Sequence, residues 1–107
     1  MPFKVLFIAH APDADKEKHR SLIETGSYHL YTVLVKNQDE ALEISKDFAD
    51  SKNIDSILLC PGFTHTDVAE IVKITGGKVA VSVARGDGPG SRISLEAIKR
   101  AGFSPGK

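Results

Sequence analysis

Hydrophobic positions along this chain fall into two kinds of pattern. Lys4-Val5-Leu6-Phe7-Ile8-Ala9-His10 and Ser56-Ile57-Leu58-Leu59-Cys60 are apolar on both of the faces that a strand's alternation defines. Such runs are the mark of central parallel strands covered by helices on each side. Tyr28 to Val35 is a further strand, rich in the aromatic and β-branched residues that a pleated surface favours. Lys78 to Ala84 carries Val79, Val81 and Val83 on one face and only Ala80, Ser82 and Ala84 on the other. So small a face either lets a helix approach closely or meets another subunit.

Between these runs the period changes to that of a helix. Asn37 stands at an N-cap with Glu40 three residues on, and Ala41, Ile44, Phe48 and Ala49 recur along one face from about Gln38 to Ser51. Thr64 or Thr66 caps a helix whose buried side is Val68, Ile71, Val72 and Thr75, and Gly76-Gly77 stops it. Ser91 or Ser94 opens a last helix with Leu95, Ile98 and Ala101 inward, before a loose tail over Ser104-Pro105-Gly106-Lys107. Asp15 to Thr25 has only Leu22 and Ile23 as strong anchors, and reads as a short, poorly anchored helix closed by Gly26.

Four strands alternating with four helical patterns imply an α/β fold: a three-layer sandwich, flavodoxin- or Rossmann-like, around a four-stranded parallel sheet. Right-handed crossovers and the two most apolar strands at the centre give the order 2-1-3-4. The chain then reverses across the sheet between strands one and three, and ligands of open α/β sheets lie outside the carboxyl ends at such a reversal. His10 ends strand one and Cys60-Pro61-Gly62 ends strand three, so both are expected to face one crevice.

At 107 residues the chain is one domain, 1–107. Fourteen basic and fourteen acidic residues cancel, which argues against a basic field for nucleic acid and against a polybasic membrane signal. The apolar runs are far shorter than the roughly 20 residues of a membrane span. Met1-Pro2-Phe3-Lys4 leads directly into a strand rather than through a charged and then apolar leader. One cysteine makes no internal disulfide. These features together lead to the expectation of a cytoplasmic protein.

Candidate chemistry gathers in two loops. Cys60 and His65, with His10, suit a nucleophile and a nearby base, or the ligands of a soft metal; Cys60 equally suits a small buried hydrophobe and His65 a solvated first helical turn. A metal site needs at least three well-placed ligands, and His10 is the third only if strands one and three adjoin, so no metal site is assigned. Gly62 lets the backbone approach a ligand, and Thr64 and Thr66 stand where free N–H groups of a helix start attract an anion, unless the threonines simply cap their own helix. Gly86, Gly88 and Gly90 make a backbone that can curl round an anion, flanked by Arg85, Ser91 and Arg92. This loop is neither a dinucleotide fingerprint nor a P-loop. Asp13 and Asp15 read as a helix cap in a solvated stretch rather than metal ligands.

With its His10-Ala11-Pro12 turn, Cys60-Pro61-Gly62-Phe63-Thr64-His65 and Ala84-Arg85-Gly86-Asp87-Gly88-Pro89-Gly90-Ser91, the whole chain resembles a small prokaryotic single-domain family of unknown function. That resemblance implies the fold and no activity or cofactor. The leading expectation is a protein that binds a small anionic metabolite between the loops Cys60–Thr66 and Arg85–Arg92. His10 and His65 would supply polar contacts and Arg85 the countercharge. If a reaction is catalysed, His65 and Cys60 are the candidates, with His65 for proton transfer. The competing class is a structural or regulatory module acting through a homodimer, which would cover the small-residue face of strand four and the thin first helix.

Overall fold

The computed structural model describes residues 1–103; the loose tail expected over 104–107 lies outside the described residues. Its elements run β1 (Phe3–His10), β2 (Arg20–Glu24), β3 (Tyr28–Val35), α1 (Gln38–Ser51), β4 (Ser56–Leu59), α2 (His65–Ile74), β5 (Ala80–Val83) and α3 (Ser91–Arg100). The architecture is mixed α/β, with five strands in the order β2-β3-β1-β4-β5. β1, β3, β4 and β5 are mutually parallel, while β2 pairs antiparallel with β3. The four parallel strands stand in the 2-1-3-4 order anticipated, but the sheet is five-stranded and mixed.

The added strand replaces the expected first helix. Leu22 and Ile23 are adjacent, so on a helix they give a thin apolar face, whereas a hairpin places them on opposite faces beside Tyr31 and Leu30 of β3. The Thr25 hydroxyl accepts from the backbone N–H groups of Ser27 and Tyr28, and Thr25 N–H donates to the Tyr28 carbonyl, closing the hairpin at Gly26-Ser27. Upstream, Asp15 Oδ1 accepts from Glu17 and Lys18 N–H in a turn of its own rather than capping a helix.

α1 forms as its pattern dictates. Asn37 Oδ1 accepts from Glu40 N–H at 2.9 Å, and the Glu40 carboxylate reaches past the cap to Lys36 N–H. Ala41, Ile44, Phe48 and Ala49 are buried. α2 buries Ile71 and Thr75, the latter's hydroxyl donating back to the Ile71 carbonyl, while Val72, expected inside, is exposed. Gly77 N–H bonds the Val72 carbonyl, with Gly76 and Gly77 at positive φ (72° and 74°), so the glycine pair ends the helix in the left-handed conformation expected.

The core joins one face of the sheet (Leu6, Ile8, Val33, Val35, Ile57, Leu59) to α1 and α2. Right-handed crossovers from β3 to β4 and from β4 to β5 progress the same way across the sheet, which puts both helices on that one face. The helix that would have crossed between β1 and β3 on the opposite side is β2 instead. The result among the described residues is a sheet with one helical layer packed on it, not a three-layer sandwich. α3 does not restore the third layer: none of its residues is buried, and Leu95 and Ile98, expected inward, are exposed.

Candidate functional site

β1 and β4 are neighbours, and the chain leaves them in opposite directions, toward β3 from one and toward β5 from the other. His10 closes β1. Cys60 N–H donates to the Ile8 carbonyl at 3.1 Å, carrying the β4 ladder one residue past its end. The thiol and imidazole therefore emerge side by side: Cys60 Sγ lies 3.9 Å from His10 Nδ1, and both residues are half-buried. Phe63 is the residue that holds the imidazole. It is buried and stacks on the His10 ring with centroids 4.1 Å apart and planes at 23°.

Gly62 sits against this pair. A Cβ built there would stand 3.4 Å from His10 Nδ1 and 3.6 Å from Cys60 Sγ, in van der Waals contact with both. The loop after β5 comes closer still to the loop after β4: a Cβ at Gly86 would fall 2.9 Å from Pro61 Cβ, nearer than real Cβ contacts allow. Gly62 and Gly86 thus bring His10, Cys60 and both loops into one cluster at the carboxyl edge of the sheet.

The two helix starts in this cluster differ. At α2, Thr64 Oγ1 accepts from Asp67 N–H (3.1 Å) and Asp67 Oδ2 accepts from Thr64 N–H (3.0 Å), a reciprocal capping box. Thr64 is occupied with its own helix, and the Asp67 carboxylate satisfies the dipole that an incoming anion would use. His65 and Thr66 occupy the exposed first turn. The side chain that Cys60 meets is His10. At α3, Gly90 stands at the N-cap with no side-chain cap bond, and the first turn has no acidic residue. Ser91 N–H bonds the Gly88 carbonyl, and Arg92 is exposed on the same turn.

Arg85 is not idle. Its Nε and Nη2 donate to the two carboxylate oxygens of Asp87, each at 3.0 Å. This fork holds the Asp87 carboxyl below its ordinary 3.8. The pair is exposed and free to exchange partners. Among the described residues no three His, Cys, Asp or Glu side chains are gathered closely enough to hold a metal ion.

Two recesses lie away from this edge. One of about 300 Å³ opens between β2, β3 and α1, lined by Arg20, Leu22, Tyr31, Phe48 and Lys52, with the Arg20 guanidinium 5.8 Å from the Phe48 ring centre. The other, about 550 Å³, surrounds Met1–Lys4, Asn53 and Asp55 at the amino ends of the strands. Neither adjoins the His10–Cys60 pair. Sequence reasoning did not reach the first because it depends on β2, and it did not single out Phe63, an apolar residue inside a loop whose burial was the available signal.

What the fold and this edge define is a small mixed α/β domain with its chemistry-bearing side chains where two loops meet. Residues 3–96 match a family described as "Family of unknown function (DUF6506)", and the chain belongs to that family. Comparison with curated proteins gives no match, and comparison with solved structures gives none either. No helix among the described residues is long and apolar enough to cross a membrane.

Proposed function

We propose that this domain binds a small anionic metabolite, cytoplasmic in setting, at the carboxyl edge of its parallel strands, between the loops that follow β4 and β5. The observation that carries the reading is the side-chain-free approach of Gly86 to Pro61, which seats both loops above His10 and Cys60. We read the parallel strands as a flavodoxin- or Rossmann-like set, in which ligands lie where the strand order reverses. Of the two loops, the one after β5 carries more of the binding. Its helix start is uncapped and free of acidic residues, with Arg85 and Arg92 beside it. Gly86 and Gly88 supply backbone donors and Ser91 its hydroxyl, with His10 a polar contact at the base, and Thr66 and Gly62 the opposite wall. Asp87 occupies Arg85 as a built-in stand-in for the ligand, so binding exchanges one carboxylate for another.

The test is titration of labelled protein with inorganic phosphate and with small carboxylates, followed by amide NMR. The expected outcome is saturable shifts confined to His10, 60–66 and 85–92, and a Tm raised by several degrees at about a hundredfold excess over Kd. Asp87→Asn should tighten phosphate binding several-fold, because it releases the Arg85 fork without removing a donor. Absent shifts in both loops, or weaker binding by Asp87→Asn, would overturn the reading.

A second reading is favoured by one specific contact, the thiol–imidazole pair. It makes the site catalytic, with Cys60 as nucleophile and His10 rather than His65 the base in reach. Alkylation of Cys60 by iodoacetamide then falls steeply in His10→Asn and is unchanged in His65→Asn. Equal rates in all three proteins would remove it.

A further inference from the structure

Among the described residues two apolar surfaces are left largely without cover, and they are complementary in kind. The first is the sheet face opposite α1 and α2. Strand register puts Phe3, Phe7, Leu30, Leu34, Leu58 and Ile23 on it, since Tyr28 pairs with Phe3, Leu30 with Val5 and with Ile23, and Leu58 with Phe7. Ile23 is 62% exposed and Leu58 36%, and Phe7, Leu30 and Leu34 are only half-buried at the centre of the sheet, while Val5, on this face beside Leu30, is buried. The second is α3. At 100° per residue, Ile93, Ser94, Leu95, Ala97 and Ile98 fill one arc of about 200°, and Arg92, Glu96, Lys99 and Arg100 fill the rest. That pattern is the design of a helix laid on an apolar surface, yet Ile93 is 73% and Leu95 61% exposed.

The chain as a whole is open for its mass. A compact monomer of 11.5 kDa exposes about 5,800 Å², whereas this chain exposes 6856 Å². The excess, roughly 1,000 Å² taken over the whole chain, leaves room for the ~800 Å² that each partner contributes to a standard stable interface. The shape agrees: the radius of gyration is 14.0 Å against about 13 Å for a compact chain of this length. A formal net charge of zero leaves no long-range repulsion between copies.

We propose that the missing cover is a second copy of this chain, in a twofold dimer where α3 of each protomer lies across the bare sheet face of the other. One symmetry operation then buries both surfaces twice, and the closed arrangement leaves no sticky edge to propagate. It supplies the third layer that the chain lacks alone. It also pins the loop that leads from β5 into α3, although the proposal stands independently of what that loop binds.

The experiment is sedimentation equilibrium on the full chain and on two variants, Leu58→Lys on the sheet face and Leu95→Lys on α3. Both side chains are already exposed in the protomer, so each variant should keep the wild-type circular dichroism. The wild type is expected near 23 kDa, twice the 11.5 kDa of one chain, at roughly 100 μM, and each variant near the monomer mass, with association weakened at least about tenfold. Mixing the two variants should restore part of the dimer, because the α3 of Leu58→Lys and the sheet of Leu95→Lys make one undamaged contact. A wild-type monomer at that concentration overturns the proposal, as does a variant that stays fully dimeric or a mixture no heavier than its components.

Discussion

The two faces of one sheet carry much the same kind of residue and meet opposite fates. Ile57 and Leu58 are neighbours on β4, and Leu6 and Phe7 neighbours on β1, each pair pointing to opposite sides. Ile57 and Leu6 are wholly buried beneath α1 and α2; Leu58 is 36% exposed and Phe7 half-buried with no helix over it. The difference lies not in the strands but in the connections. Two crossovers are helices and fall on one side by handedness, whereas the connection from β1 to β3 spends its residues on a hairpin strand that stays in the plane of the sheet. A strand apolar on both faces therefore states that both are to be covered, without stating by which chain.

The largest expected effect sets these neighbours against each other. Ile57→Ala removes a fully buried side chain and should cost about 2–5 kcal/mol of folding stability. Leu58→Ala should cost under about 1 kcal/mol when the protomer is denatured at concentrations too low for association. Urea denaturation at two protein concentrations checks both. Equal losses from the two substitutions at high dilution would mean that the second face is covered within the protomer, and the contrast between the faces would be gone.

What the sequence made legible follows the same division. Every element whose neighbours are fixed by local pattern came through: α1 with its Asn37 cap and buried Ala41, Ile44 and Phe48, the parallel order of the four main strands, and the glycine stop after α2. The placement of His10 beside Cys60 also followed, because it depends only on which strands adjoin. Failure came where apolar content was too sparse to choose a period. Leu22-Ile23 fits neither a good helix nor a long strand, and pairing with β3, a tertiary fact, decided it; the Gly26-Ser27 turn between two β-prone runs was the signal to weigh. For α3 the period was right and the direction wrong, since amphipathicity says that a helix has an inward side but not whose interior it faces. In the site, Cys60 and His65 are close in sequence, yet the loop sends the thiol to His10 across the strands.

A smaller effect tests how tightly the covered side is packed. Ser45 lies on the buried face of α1, fully inaccessible, and its hydroxyl has no hydrogen-bond partner among the described residues. Burying an unsatisfied hydroxyl costs stability, and alanine is the better helix former, so Ser45→Ala should stabilise by about 1 kcal/mol. A loss of similar size in thermal denaturation would mean that the hydroxyl is satisfied in solution.

The smallest effect is read by titration and separates the turn between β1 and β2 from the loop that leads to α3. Asp15 is held below its ordinary 3.8 mainly by the Glu17 backbone N–H, and Asp87 mainly by the Arg85 side chain. Both carboxyls are depressed on folding, so each contributes stability that is present above 3.8 and lost as pH falls through its lower folded value. Because both are exposed, the loss is local loosening rather than unfolding. Carboxyl NMR should show both aspartates titrating below 3.8, and Arg85→Gln should return Asp87 toward that value while leaving Asp15 where it was. A parallel return of both would mean that the two loops are coupled through the sheet.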